Sequence, residues 1–192
     1  GQWEADFQRS LTRLGTTQLD AFLLHHPADL CRPDASCLLD WLLSLRERGL
    51  VRRLGISIYS RQELEGLPLD RLDLVQLPLS LYDQRLRQDG TLQHLRQQGL
   101  AIHARSLFLQ GLLLTPAPQW PAWVDPALRQ HHARLEAWAL ERHTTTHALA
   151  LAFAHRCEAL EAAVIGVTSA NELEELLRGW HEAEGGPGIG DP

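Results

Sequence analysis

Residues Leu19–Pro27 read LDAFLLHHP. The run Ala21-Phe22-Leu23-Leu24 is uninterruptedly apolar, the pattern of a strand buried on both faces of a parallel sheet. It stops on His25, His26 and Pro27, where an ordinary surface turn favours Gly, Asn or Asp. Two imidazoles at the C-terminal end of such a strand mark that end as a candidate site.

Working outward, strands and helices alternate. Residues 2–14 carry Phe7, Leu11 and Leu14 on one helical face, and the first strand covers 19–25. Asp34 or Ser36 caps a helix bearing Leu38, Leu39, Leu42 and Leu45, closed by Gly49. Strand 51–57 (VRRLGIS) follows, and then Ser60 and Glu63 form a capping box for a short helix. Strand 73–78, helix 90–98 and strand 100–106 continue the alternation. A loop with Pro116, Pro118, Pro121, Pro126, Trp120 and Trp123 leads into helices 126–142 and 146–158. A fifth strand spans 161–167, and Ser169 with Glu172 opens a last helix to about 178. Residues 183–192 read as a disordered tail.

Such alternation implies parallel βαβ units in an α/β fold. No GxGxxG follows any strand, which argues against a dinucleotide-binding doubly wound sheet and for a (β/α)8 TIM barrel. About five of the eight strands are present, so the barrel is incomplete. Met is absent from the sequence, in keeping with three βα units missing from the front. Residues 1–182 then form the C-terminal portion of a barrel.

Composition narrows the classes. The 192 residues are 44% hydrophobic with a net charge of −6, and no basic run exists. Nucleic acid is therefore not an expected partner. No apolar stretch approaches the ~20 residues of a membrane span, and the polar opening is no signal peptide. Cys31, Cys37 and Cys157 match no zinc or disulfide spacing and read as free thiols in the cytoplasm. All 18 basic residues are Arg, so no lysine-dependent step can run on this chain alone.

In a barrel, chemistry sits where the strands end. Those ends carry His25 and His26, then Ser57, Gln76, Arg105 with Ser106, and Gly166 to Thr168. A Gln inside LVQLP needs partners or costs ~1–3 kcal/mol. Polar groups on five separate strand ends favour a site over five unrelated turns.

The segments SLTRLGTTQLDAFLLHHP, RERGLVRRLGIS, DLVQLPLSLYDQRL, AIHARSLFLQGLLL and AAVIGVTSANELEELL resemble, in order, the aldo-keto reductase family. The form ARSLFLQGLLL is similar to a bacterial branch of it. The resemblance implies a TIM-barrel oxidoreductase that reduces aldehydes or ketones by hydride transfer from NAD(P)H. NADP(H) is the family's usual cofactor, with NAD(H) left open. His25 falls on the catalytic histidine, whose neutral imidazole can donate to a carbonyl oxygen gaining charge. Ser57 and Gln76 fall on residues that bond the nicotinamide carboxamide, although the usual Asn after Ser57 is here Ile58. Arg105 falls where a ring stacks on the nicotinamide. Ser106, Leu107, Gln110 and Gly111 fall on the loop that wraps the pyrophosphate. Thr168, Glu172 and Glu175 fall near the adenosine. No basic residue for a 2′-phosphate stands between Gly166 and Leu177.

The family's catalytic Tyr, Lys and Asp lie in the first three βα units. Tyr59 and Tyr82 stand in other contexts. The expectation is a chain inactive by itself whose longer parent is active, with a small carbonyl compound as the partner. The alternative is a non-catalytic nicotinamide-nucleotide-binding or regulatory subunit. Open sheet edges imply self-association. His143 with His147, and His131 with His132, read as solvated helix faces, and no metal site is expected. The Trp120 and Trp123 loop is either a cover over substrate or a packed Pro-Trp clasp.

Overall fold

The computed structural model describes residues 2–185. The part of the expected tail from 186 to 192 lies outside the described residues. Five strands, β1 (Leu19–Leu24), β2 (Val51–Ser57), β3 (Leu74–Pro78), β4 (Ala101–Arg105) and β5 (Ala162–Ala163), are hydrogen-bonded in the order β1-β2-β3-β4-β5. Neighbours in chain order, with no reversal, suit a (β/α)8 barrel. A doubly wound sheet would change direction at a switch point. The fold is α/β, a five-stranded parallel sheet with the strand order of part of a barrel. The helices are α1 (Gln2–Leu14), α2 (Ala35–Glu47), α3 (Arg85–Gln88), α4 (Thr91–Gln97), α5 (Pro126–Glu141), α6 (Thr146–Arg156) and α7 (Ala170–Gly185). Among the described residues, no helix is long and apolar enough to cross a membrane.

The chain divides into two compact units: residues 1–77 with 90–102, and residues 78–89 with 103–192. In the first, α1 buries Phe7 and Leu11, and α2 buries Leu38, Leu42 and Leu45, at the helical spacing read from the sequence. Gly49 closes α2 at φ 70°, a left-handed backbone that a side chain would oppose. Asp34 is the N-cap of α2, but its carboxylate makes no cap hydrogen bond and instead faces Arg32 at 3.4 Å. The ladder sets Ala21 opposite Arg53, Gly55 opposite Leu74 and Ser57 opposite Gln76. β2 and β3 come so close at Gly55 that a Cβ there would lie 2.6 Å from the Leu74 carbonyl oxygen. The segment after Ser60 is a short 3-10 turn at Arg61–Leu64 rather than an α-helix. Its capping box is present, with the Glu63 carboxylate accepting from the Ser60 N–H at 2.9 Å.

Two strand expectations need correction. β1 is not buried on both faces: all its residues are half-buried except exposed Asp20. It stands at the end of the strand order and so has a neighbour on one side only. β5 is two residues long, not seven. Its register against β4 is His103–Ala162 and Ala104–Ala163, continued by Val164 N–H to the Ala104 carbonyl at 2.7 Å. β4 then ends at Arg105, and Ser106 turns away at φ 62°, so Ile165–Val167 find no ladder to extend.

The second unit packs Leu107, Leu113, Ala150, Leu151 and Ala154 into a core flanked by Tyr82, Phe108, Leu176 and Trp180. α5 starts where Asp125 accepts the Ala127 N–H at 2.7 Å with Pro126 in the first turn. α6 starts where Thr145 accepts the Ala148 N–H at 3.1 Å. α7 runs beyond its expected end near 178 to Gly185.

Candidate functional site

In the first unit, polar residues stand at the C-terminal ends of β1 and β2 and in the middle of β3. Leu24, the last residue of β1, pairs with Ile56, and His25 follows it directly. One step further along β2, Ser57 pairs with Gln76 of β3. His25 is exposed, and its ring centroid lies 4.9 Å from that of His26. Ser57 is 5% exposed and Gln76 half-buried, so the hydroxyl and the amide sit at the edge of the core. Ile58, where a resemblance-based reading expects Asn, is fully buried, and its N–H donates to the Gln76 carbonyl at 2.9 Å. That side chain belongs to the core and offers a ligand no polar atom. A hydroxyl beside a primary amide can satisfy both the C=O and the NH2 of a carboxamide.

In the second unit, Arg105 ends β4, its carbonyl accepting the Leu79 N–H at 3.1 Å and its guanidinium lying 3.4 Å from the Ser106 hydroxyl. The loop after it is strained. Ser106, Leu109 and Gln110 have φ of 62°, 50° and 57°, and Gly111 has 88°. Left-handed non-glycine residues in succession cost energy that the surrounding structure must supply, and they cluster where a ligand is held. Not every residue expected here is available to a ligand. Leu107 is 2% exposed and its side chain is core. The Gly111 N–H is used inside the turn, donating to Phe108 at 2.9 Å. A Cβ at Gly111 would meet nothing within 4 Å, so the space over it is open.

Beside this loop, Phe108, Leu114, Thr145, Thr146, His147, Gly166, Val167, Glu172, Glu175 and Leu176 line a cleft of about 430 Å³. Thr168, next to the lining residue Val167, donates through its N–H and hydroxyl to the Glu172 carboxylate at 2.6 and 2.8 Å. Glu172 in turn donates its N–H to the Ser169 hydroxyl at 3.2 Å. The backbone bond from Thr168, with that from its hydroxyl, holds the Glu172 carboxyl below the usual carboxylate range. Burial lowers the affinity of His147 for a proton, opposed by the charge of Glu175. The Phe108 and His147 rings lie 5.2 Å apart at 34°. Aromatic walls, threonine hydroxyls and carboxylates fit a planar, donor-rich group such as a nucleoside.

Two histidines depart from the solvated helix faces expected of them. His147 lines the cleft. His132 is fully buried. Its Nδ1 lies 2.8 Å from the Tyr82 hydroxyl and its Nε2 lies 3.2 Å from the Thr115 carbonyl. Its ring stacks on Trp120 at 4.5 Å and 22°. Trp120 is 4% exposed and donates its Nε1–H to the Thr115 carbonyl at 2.8 Å, so this half of the Pro-Trp loop is a packed clasp. Trp123 is 81% exposed. The signal in the sequence was the apolar face of α5 on which His132 sits with Leu135 and Ala139. Among the described residues, no group of three or more His, Cys, Asp or Glu side chains is placed to hold a metal.

The model of the aldo/keto reductase family matches residues 2–183, and the chain belongs to that family. An uncharacterized oxidoreductase of Bacillus subtilis strain 168, YtbE, is 28% identical over 110 residues, which is 57% of this chain and 38% of that relative. The aldo-keto reductase AKR11C1 of Bacillus halodurans in its apo form superposes with a TM-score of 0.74 at 19% identity. The match covers 92% of this chain and 61% of that one. A putative aldo-keto reductase of Pseudomonas aeruginosa gives 0.64 at 14% identity, covering 94% of this chain and 58% of its own. At these identities the structural matches establish the fold. The chain spans roughly two-fifths to three-fifths of the length of these proteins.

Proposed function

We propose that this chain is the C-terminal portion of a bacterial-type aldo-keto reductase that reduces aldehydes or ketones by hydride transfer from NAD(P)H. The observation that carries the reading is the run of C-terminal strand ends in the first unit: His25 after Leu24, and Ser57 opposite Gln76. In this reading a dinucleotide, when bound, supplies the hydride. Ser57 and Gln76 would grip the carboxamide and so fix which ring face is presented. His25, exposed at its strand end, donates an N–H to the carbonyl oxygen of the substrate and orients it. In the second unit, Arg105 would offer a planar guanidinium to the ring, and its charge would favour the reduced, uncharged form. Ser106 and Gln110, with the backbone of the strained loop, hold the pyrophosphate. Thr168, Glu172 and Glu175 serve the adenosine end. A proton donor comes from outside this sequence, since the chain has no Lys to lower a tyrosine's pKa toward neutrality. The free Cys31, Cys37 and Cys157 support a cytoplasmic setting, and the outer edge of β1 supports self-association.

The test is calorimetric titration of the purified chain with NAD(P)H and with ADP-ribose. Ser57→Ala and Gln76→Ala each weaken NAD(P)H about fivefold, the worth of one hydrogen bond, and leave ADP-ribose unchanged. Wild-type affinity in both variants refutes the carboxamide assignment. NADPH consumption with small aldehydes by the chain alone refutes its dependence on an outside proton donor.

A further inference from the structure

Of the features the proposed reaction leaves open, the cleft between α6 and α7 says most, because its charges choose among ligands. It is lined by two carboxylates, Glu172 and Glu175, and by no Arg. The chain has no Lys to reach in. His147 is its sole imidazole, and burial keeps that ring neutral near pH 7. The N-terminus of α7 is the one built-in anion site nearby, since unpaired N–H groups and the helix dipole attract phosphate there. That position is partly taken from within. The Glu172 carboxylate takes the N–H of Thr168, just before the helix, at 2.6 Å, and Ser169 takes the Glu172 N–H at 3.2 Å. A phosphate at the helix start would meet the Glu172 carboxylate, with Glu175 in the same cleft. A ribose diol meets the opposite situation. Its hydroxyls are donors, and a carboxylate beside them is an acceptor that discriminates 2′-OH from 2′-phosphate. The Phe108 and His147 rings, 5.2 Å apart, offer the attached base an aromatic wall.

We propose that this cleft takes an adenosine whose ribose carries a free 2′-hydroxyl, so that the chain selects NAD(H) over NADP(H). The inference rests on the dinucleotide reading above and sharpens it. Glu175 is the acceptor for the ribose hydroxyls, because the Glu172 carboxylate is engaged by Thr168. Glu172 excludes phosphate from the helix end.

The experiment is titration of the purified chain with ADP-ribose and with 2′-phospho-ADP-ribose, which present the adenosine end without the nicotinamide. ADP-ribose binds at least about tenfold tighter, and the gap narrows with added salt, as exposed like charges are screened. Glu175→Gln narrows the ratio by strengthening the phosphorylated ligand, with an unchanged melting temperature showing that the fold is intact. Glu172→Gln does the same through a second position and keeps a side-chain acceptor for the Thr168 N–H. Equal or tighter binding of the 2′-phosphate ligand by the wild-type chain overturns the inference while the dinucleotide reading stands. Binding of neither ligand overturns both.

Discussion

Replacing Tyr82 by Phe leaves the buried His132 with an acceptor nothing can fill. The Thr115 carbonyl, 3.2 Å from Nε2, can only accept, so Nε2 carries the proton and Nδ1 takes the Tyr82 hydroxyl at 2.8 Å. Stripping one partner from a buried pair costs about 1–3 kcal/mol, because the orphaned nitrogen is not rehydrated. For a chain of this size that is a fall of about 2–12 °C in Tm. His132→Phe and the double variant complete a cycle, with an expected coupling of about 0.5–3 kcal/mol. The assay is urea unfolding at pH 8, followed by the fluorescence of Trp120, which stacks on His132 at 4.5 Å. The same pair sets two pH limits. Burial lowers the pKa of His132, against the opposing charge of Glu136 at 3.9 Å and the Thr115 carbonyl. Its folded-state pKa therefore lies below the unfolded value of ~6.5. The stabilisation is complete above ~6.5 and is lost as pH falls toward the folded pKa, at up to about 1.4 kcal/mol per pH unit. At the other end, burial and the Glu136 charge push Tyr82 up to about 12. Between ~10 and about 12 the unfolded phenol ionises first and stability falls again. His132→Phe flattens the acid limb. A Tyr82→Phe variant within ~0.3 kcal/mol of wild type, with no coupling to His132, would refute the account.

Two further substitutions probe the frame. Gly55→Ala forces a Cβ to 2.6 Å from the Leu74 carbonyl oxygen and 3.1 Å from Leu23 Cγ, so β2 and β3 must part. A loss of about 1–3 kcal/mol in unfolding free energy, read from urea unfolding, is expected, and no loss would mean that the strands are not this close. Ser169→Ala removes the acceptor of the Glu172 N–H at 3.2 Å, costing the start of α7 about 0.5–2 kcal/mol. Faster hydrogen exchange at Glu172 and Leu173 registers it, and unchanged exchange there would disprove the cap.

Why the cleft stands where it does follows from the two helices that make it. Thr145 caps α6 and so fixes where Thr146 and His147 emerge, while Ser169 and Glu172 do the same for α7. At Gly179 a Cβ would lie 2.7 Å from Leu151 Cδ1 and 3.5 Å from His147 Cε1. The absence of a side chain there lets α7 approach α6 closely enough for both to line one pocket. Glu172 takes part in the start of α7 twice, its N–H donating to Ser169 and its carboxylate accepting from Thr168.

Local pattern settled most of the frame. The first four strands, α2 and α5 fall within a residue or two of their expected limits, because hydrophobic period, capping residues and terminal glycines act over a few neighbours along the chain. The strand ends with His25, Ser57 and Gln76 were legible for the same reason: a polar residue closing an apolar run is a one-dimensional signal. What the sequence could not settle depends on residues far apart in it. β5 is short because β4 turns away at Ser106, nearly sixty residues earlier. β1 is half-buried because of which strands flank it, not because of its own composition. His132 looks like any helix-surface histidine until Tyr82, Thr115 and Trp120 close around it. The cleft itself, with His147 as part of its wall, emerges only when α6 and α7 are laid together. Periodicity is written along the chain, but burial, tautomer and ligand choice are properties of neighbours, and tertiary packing alone decides who the neighbours are.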